Sequence, residues 1–365
     1  MRPVNDSSAA RTCPPLRVIA WPAFKAGRIN PYSSLFATSL QAMNTDVSEF
    51  GVASLLRGTD ILHVHWPEYV LANPRPHRAW LKATVLLMVL DLLRMRGTKV
   101  VWTAHNLGSH ENRHPKVEEW FWRAFTKRVD GVLALSESGL IRLQAKYTHL
   151  RQVPASVAPH GHYRAVYPIK SKQEARRSLG ISDSQRVLAY FGVIREYKNV
   201  PRLLMSFSSV EGAGLRLLVA GAPVGDELRD EVVRQASLDS RVNLRLGVAS
   251  QEELAEIIAA ADLVVLPYSN IENSGSALLA LSLNRPVLVP EQGSLSDLKQ
   301  HVGDDWVRTY TGEINGPVIL EALEWLAARE AGTVAFPASM EWEYTAAKAC
   351  ELYARVRSYD TTKVT

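Results

Sequence analysis

Short apolar runs alternate with helix-period segments along almost the whole chain, and the alternation stops once and then restarts. Leu16–Trp21, Ile61–His65, Lys99–Thr103 and Gly131–Leu135 are rich in Val, Ile and Leu, with little polar alternation. That is the pattern of strands buried on both faces. Helical periodicity separates them near Ser33–Met43, Trp80–Met95 and Lys116–Arg128. Parallel neighbours need a long crossover, which a helix supplies, so this rhythm predicts a parallel βαβ sheet. It lapses over Val153–Lys172, a stretch holding Pro154, Pro159 and Pro168. Arg186–Phe191, Leu215–Ala220, Val242–Leu246, Leu263–Leu266 and Pro286–Val289 then read as strands. Helices are expected near Val200–Ser209, Asp226–Ala236, Gln251–Ala260 and Ala277–Leu283, with a last amphipathic one near Glu341–Tyr359. A chain of 365 residues is about twice a typical domain. The expected fold is α/β: two Rossmann-like doubly wound domains facing a cleft, residues 1–165 and 166–340. A C-terminal helix within 341–365 is expected to cross back to the first domain.

Composition narrows the class. With 47% apolar and 22% charged residues the chain is neither disordered, collagen-like nor a coiled coil. Its two cysteines, Cys13 and Cys350, form no disulfide framework or thiolate cluster and fit a reducing compartment. The polar N-terminus lacks the apolar core of a secretory signal. The longest apolar stretch, Trp80–Leu93, is interrupted by Lys82 and Asp91, so no transmembrane helix is expected. Charge is unevenly spread: 21 Lys+Arg against 11 Asp+Glu up to residue 165, then 21 against 26. The basic half either faces an anionic lipid surface or phosphorylated substrate, or is simply a solvated basic face. Its cations are scattered and show no helix-turn-helix, RRM or zinc pattern, so nucleic acid is not expected as a partner.

Ligands of open α/β sheets sit beyond the carboxyl ends of the strands. His63-Val64-His65-Trp66-Pro67-Glu68 ends one strand there, and Pro67 stops it. Glu68 reads either as a general base for a substrate hydroxyl or as a carboxylate capping a helix or pairing with an arginine. His105 and Asn106 open a post-strand loop that continues through His110, Glu111 and Asn112, a cluster suited to sugar hydroxyls or to base chemistry. No histidine set has the spacing of a zinc site. Pro159-His160-Gly161-His162-Tyr163 reads equally as a simple turn or as a close backbone approach to a ligand. In the second half, Gly192, Arg195 and Lys198 lie between a strand and a helix, the physical make-up of a diphosphate site without a Walker A spacing. Tyr268, Glu272, Asn273, Ser274, Gly275 and Ser276 lead into a helix whose N-terminus favours an anion, with Glu272 suited to sugar or ribose hydroxyls. Together they describe a nucleotide-diphosphate-sugar pocket.

These features resemble GT-B glycosyltransferases, in which the donor binds the C-terminal domain. The usual Glu-x7-Glu pattern is broken: Glu272 is present, but position 280 is alanine, ahead of Arg285-Pro286-Val287. The finer pattern resembles bacterial GDP-mannose:glycolipid 4-β-D-mannosyltransferases of the xanthan-assembly type. The stretches that carry this are His63–Tyr69, His105–Arg113, His160–Arg164, Phe191–Val200, Ala261–Tyr268 and Asn273–Pro290.

The resemblance implies an inverting, metal-independent transfer of mannose from GDP-mannose to a polyprenyl-diphosphate-linked oligosaccharide in exopolysaccharide assembly. The first domain would bind the acceptor and the second the nucleotide-sugar. The enzyme would sit at the cytoplasmic face of the plasma membrane, peripheral and touching anionic lipid. Glu68 is the first candidate base, with His105 and Glu111 as alternates; His65, Trp66, Asn106, His160 and His162 fall to the acceptor or the inter-domain link. Trp80–Arg96 would be either a lipid-facing segment or a core helix. The rival readings are a retaining or UDP-sugar-dependent GT-B enzyme, a nucleotide-sugar 2-epimerase and a non-catalytic glycan-binding subunit.

Overall fold

A computed structural model describes residues 16–25, 30–108 and 113–359. The chain divides into two compact units, Met1–Gly161 with Ala338–Thr365, and His162–Pro337.

In the first unit the strands are β1 (Arg17–Trp21), β2 (Asp46–Glu49), β3 (Ile61–Val64), β4 (Lys99–Ala104), β5 (Gly131–Ala134) and β6 (Ala155–Val157). The helices are α1 (Tyr32–Ala42), α2 (Val52–Leu56), α3 (Pro76–Met95), α4 (Pro115–Thr126) and α5 (Glu137–Lys146). All strand pairs are parallel, in the order β2-β1-β3-β4-β5-β6. The order reverses at β1 and β3, so the ligand crevice of this unit lies beyond Trp21 and Val64. Two strands were not foreseen, β2 and β6, and both are edges. β2 reads Asp-Val-Ser-Glu, with the charges expected of an exposed edge. β6 falls inside the proline-rich segment read as a break, where three residues carry no periodic signal.

The second unit continues with α6 (Lys172–Leu179), β7 (Arg186–Phe191), α7 (Val200–Ser208), β8 (Leu215–Gly221), α8 (Asp226–Ser237), β9 (Val242–Leu246), α9 (Gln251–Ala260), β10 (Leu263–Val265), α10 (Gly275–Ser282), β11 (Val287–Pro290), α11 (Ser294–Val302), β12 (Val307–Tyr310) and α12 (Gly316–Ala327). Its parallel sheet runs β9-β8-β7-β10-β11-β12, the order of a dinucleotide-binding Rossmann sheet. The reversal lies between β7 and β10. β12, again an edge, was not read from the sequence. α6 was also missed, although Ser171 and Glu174 form a capping box and Gly180 closes the helix in the left-handed region.

The last helix, α13 (Trp342–Ser358), returns to the first unit. It packs on α1 and β5: a side chain at Gly131 would meet Val356 at 2.5 Å, and Tyr353 hydrogen-bonds the His63 ring. α3 lays Ala79, Ala83, Leu86, Leu87, Leu90 and Leu93 on the core of that unit. No helix among the described residues is long and apolar enough to cross a membrane.

Candidate active site

Two groups of side chains stand at the two switch points. In the first unit, the chain leaves β3 through buried His65, Trp66 and Pro67 into a short 3₁₀ turn, Pro67–Leu71, that carries Glu68. Asn106, just after β4, donates from Nδ2 to Glu68 Oε1 at 2.9 Å. The His105 ring stacks on Trp66 with centroids 4.4 Å apart, and its Nε2 lies 3.5 Å from His65 Nδ1. Lys146 Nζ and the Tyr147 hydroxyl both donate to the Leu107 carbonyl, at 2.7 and 3.3 Å, anchoring the loop behind Asn106.

Tyr32, the first residue of α1, fills the centre of this group. Its buried ring meets the edges or faces of His65, Trp66, His105, His160 and Trp342 at 4.6–6.0 Å. Trp342 comes from α13 and seats against Gly161, where a Cβ would lie 2.5 Å from the indole. Sequence reasoning missed both aromatics. Tyr32 directly follows Pro31 at the start of a helix after β1, a signal that was available; Trp342 is distant in sequence and reaches the site only through the fold. His63 is a structural histidine, bonded through Nε2 to Thr103 Oγ1 at 2.6 Å and through Nδ1 to Tyr353.

Burial sets the protonation of this group. Removal from water pushes the Glu68 carboxyl up to about 7, opposed by the Asn106 hydrogen bond and reinforced by the nearby Glu118 charge. The same desolvation lowers His65 to about 3 and His160 to about 4, and holds His63 and His105 well below the ordinary imidazole range. The rings are therefore neutral near pH 7.

An acid sensitivity follows. The unfolded chain protonates these histidines below about 6.5, whereas the folded one does not, so stability is present above that pH and is lost as pH falls. For His63, His65 and His105, all buried, the loss by pH 5 is about 1–2 kcal/mol each. Calorimetric melting of the full chain at pH 7.5 and pH 5 should show a marked drop in the first unit's transition; an unchanged midpoint would contradict the neutral assignment.

In the second unit, β7 is followed by Gly192, whose φ of +113° favours glycine. A Cβ there would point between Ser276 Oγ at 3.3 Å and Lys198 Nζ at 3.5 Å. A hydroxyl and an ammonium beside a glycine backbone are groups that suit an anion. Lys198 Nζ lies 5.7 Å over the ring of buried Tyr268, whose hydroxyl accepts from Ser274 Oγ at 3.2 Å. Ser274 Oγ in turn accepts from the Ala277 N–H at 3.1 Å and caps α10, whose Ser276 hydroxyl is the one beside Gly192. Burial and the Arg195 charge lower Lys198 to about 8. Glu272 and Asn273 are half-buried on the approach to α10. Ser269 N–H donates to the Tyr197 carbonyl at 2.8 Å, strapping the β10 loop to the β7 loop. Ser294 N–H donates to the Glu272 carbonyl at 2.9 Å. Tyr163, buried, lies against the start of α10.

Ala280 is fully buried on α10 among leucines, so an acidic side chain there would be buried. Gly221, at the end of β8, has a different constraint: a Cβ would sit 2.0 Å from the Gly192 carbonyl oxygen. Ile194 continues the contact, exchanging backbone hydrogen bonds with Ala222 and Val224 at 2.9 Å. Gly221→Ala should therefore displace the Gly192–Arg195 loop and destabilise the second unit by about 1–3 kcal/mol. Thermal melting and nucleotide titration read both effects, and a variant with parental values in both would contradict this packing.

Of the sequence-derived residues, Glu68, His105, His65, Trp66, Asn106 and His160 come together in the first unit. Gly192, Lys198, Tyr268, Ser274, Gly275 and Ser276 come together in the second, with Arg195, Glu272 and Asn273 on the same loops. His162 does not join the histidine group: it belongs to the second unit and packs on Phe336, centroids 4.8 Å apart. Glu111, with His110 and Asn112, lies outside the described residues. Among the described residues no three His, Cys, Asp or Glu side chains gather as metal ligands.

Two Rossmann-like units with sites at their switch points define the GT-B class of glycosyltransferase folds, and solved structures agree. Sucrose-phosphate synthase from Thermosynechococcus elongatus aligns with a TM-score of 0.63 at 16% identity, covering 94% of each chain. WaaG, a glycosyltransferase involved in lipopolysaccharide biosynthesis, aligns with 0.59 at 16% identity, covering 94% of this chain and 99% of its own. Residues 171–304 match the family described as glycosyl transferases group 1. A GDP-mannose:glycolipid 4-β-D-mannosyltransferase of Xanthomonas campestris pv. campestris is 34% identical over 289 residues, 79% of this chain and 78% of the relative. The chain belongs to this glycosyltransferase family and is an enzyme of that class.

Proposed function

We propose that the enzyme moves mannose from GDP-mannose, with inversion, to a hydroxyl of a polyprenyl-diphosphate-linked oligosaccharide. The reaction would serve exopolysaccharide assembly at the inner face of the plasma membrane. The observation that supports this reading is a carboxylate, Glu68, that burial pushes up to about 7 at one switch point, with Lys198 and Ser276 gathered beside Gly192 at the other. The relative's name supports the donor, the glycolipid acceptor and the β product.

In the reaction Glu68 takes the acceptor hydroxyl proton as the oxygen attacks the anomeric carbon. The new C–O bond forms while the bond to the diphosphate oxygen breaks, and GDP leaves with the electron pair. Arg195, Lys198 and the first amides of α10 offset the charge growing on the diphosphate, so the transfer is proposed to need no resident metal. His105 is the weaker base, because a buried imidazolium beside His65 is disfavoured, and its neutral ring suits hydrogen bonding to the acceptor. Glu272 and Asn273 are left to hold sugar hydroxyls.

The test is incubation with GDP-mannose and a lipid-linked oligosaccharide in chelator-containing buffer, with the product's anomeric configuration read by NMR. The donor's sugar is α-linked, so a β-mannoside is the expected product. An α-mannoside would mean retention, and conversion of GDP-mannose to another GDP-sugar without acceptor would mean an epimerase; either contradicts the proposal.

A further inference from the structure

We infer that the outward face of α3, extended by Trp120 of α4, is a docking surface for an anionic lipid bilayer. A helix on the surface of a globular domain carries one apolar stripe toward the core and polar residues outside. α3 has two apolar stripes. Opposite its buried face lie Leu81, Val85, Met88, Leu92 and Met95, which are 57%, 51%, 63%, 45% and 78% exposed. Their spacing of four, three, four and three residues keeps them in one line along the helix. Trp80 stacks on Trp120 with centroids 6.0 Å apart, and both indoles are partly in water.

The charges around the stripe choose the occupant. The one acid on α3, Asp91, is bound to Arg128 at 2.7 Å. Exposed Arg75, Arg78 and Lys82 flank one end and Arg96 the other; α4 adds exposed Lys116, its exposed Glu119 is paired with Arg123 at 2.8 Å, and Lys127 follows the helix. Exposed apolar side chains with paired indoles beside them and cations at the rim suit the headgroup level of an anionic membrane. A second copy of the chain would set the same cations against each other, which disfavours self-association through this face.

The inference rests on the proposed function only for the lipid-borne acceptor that makes docking useful. The test is co-sedimentation of the full chain with vesicles of phosphatidylcholine alone and of phosphatidylcholine with phosphatidylglycerol. The parent should bind the anionic vesicles roughly tenfold better than the neutral ones. Met88→Asp with Leu92→Asp should lower that binding by roughly tenfold or more. Both positions are exposed, so the melting temperature and GDP binding should stay at parental values. A double variant that sediments like the parent would overturn the proposal. So would a parental dimer, seen by light scattering, that the substitutions dissolve. Vesicle binding that needs Met88 and Leu92 in a chain that binds no guanine nucleotide would leave docking intact and remove the proposed function instead.

Discussion

Glu68→Gln should lower transfer by about 10²–10⁴-fold, the usual contribution of a positioned general base, without unfolding the protein. The amide keeps the shape and still accepts from Asn106 Nδ2, so the packing around Trp66 and His105 is retained. The variant should in fact be more stable at alkaline pH. Because burial raises the Glu68 carboxyl to about 7, the folded state binds its proton more tightly than the unfolded one, whose carboxyl titrates near 4.3. The resulting stability is present at pH 4 and is lost as pH rises through 7. Above that, the half-buried carboxylate costs roughly 1–3 kcal/mol, discounted for its partial exposure. Removing the charge should therefore raise the melting temperature at pH 8 and leave it unchanged near pH 4. The parental rate should climb with a midpoint near pH 7, and this limb should vanish in the variant. Near-normal turnover by a folded Glu68→Gln protein would show that the base lies elsewhere.

Arg195→Ala and Lys198→Ala should each weaken GDP binding by roughly 10- to 100-fold, as expected for one charge-assisted hydrogen bond to phosphate. Lys198 should show the sharper signature. Its ammonium is lowered to about 8 by burial and by Arg195, so the free enzyme loses that proton at mildly alkaline pH, and affinity should fall between pH 7 and 9. Bound diphosphate restores the charged form, so GDP binding should take up protons in that range. Titration in buffers of different ionisation enthalpy measures this uptake, and Lys198→Ala should abolish it. Parental affinity in both variants would mean that the space beside Gly192 is not the diphosphate site.

The limits of sequence reading here are physical. The central strands were legible because strands buried on both faces must be apolar. The unforeseen strands, β2, β6 and β12, are all sheet edges, where Asp46, Glu49 and Arg308 replace the apolar run and pairing on one side suffices. The loops around Gly192 and Ser274 were legible because glycine, cations and small hydroxyl residues recur at a strand-to-helix junction for reasons of geometry. The first unit's site was half legible. Glu68, Asn106 and His105 sit directly after strands, whereas Trp342 joins them from the last helix, a contact no local pattern encodes. His162 illustrates the converse, since only Gly161 separates it from His160, yet it belongs to a different unit. The Trp80–Arg96 stretch reads in sequence as lipid-facing or core, and α3 has both a buried face and an exposed apolar one.

The proposed donor complex is a guanine nucleotide-sugar held beside Gly192 and Lys198 of the second unit. Isothermal titration of the purified enzyme with GDP, UDP, GDP-mannose and UDP-glucose, in chelator-containing buffer, tests it most directly. The enzyme should show clear preference for GDP and GDP-mannose over the uracil compounds, lost in Lys198→Ala. Tighter binding of UDP and UDP-glucose, or binding of none of the four, would contradict it.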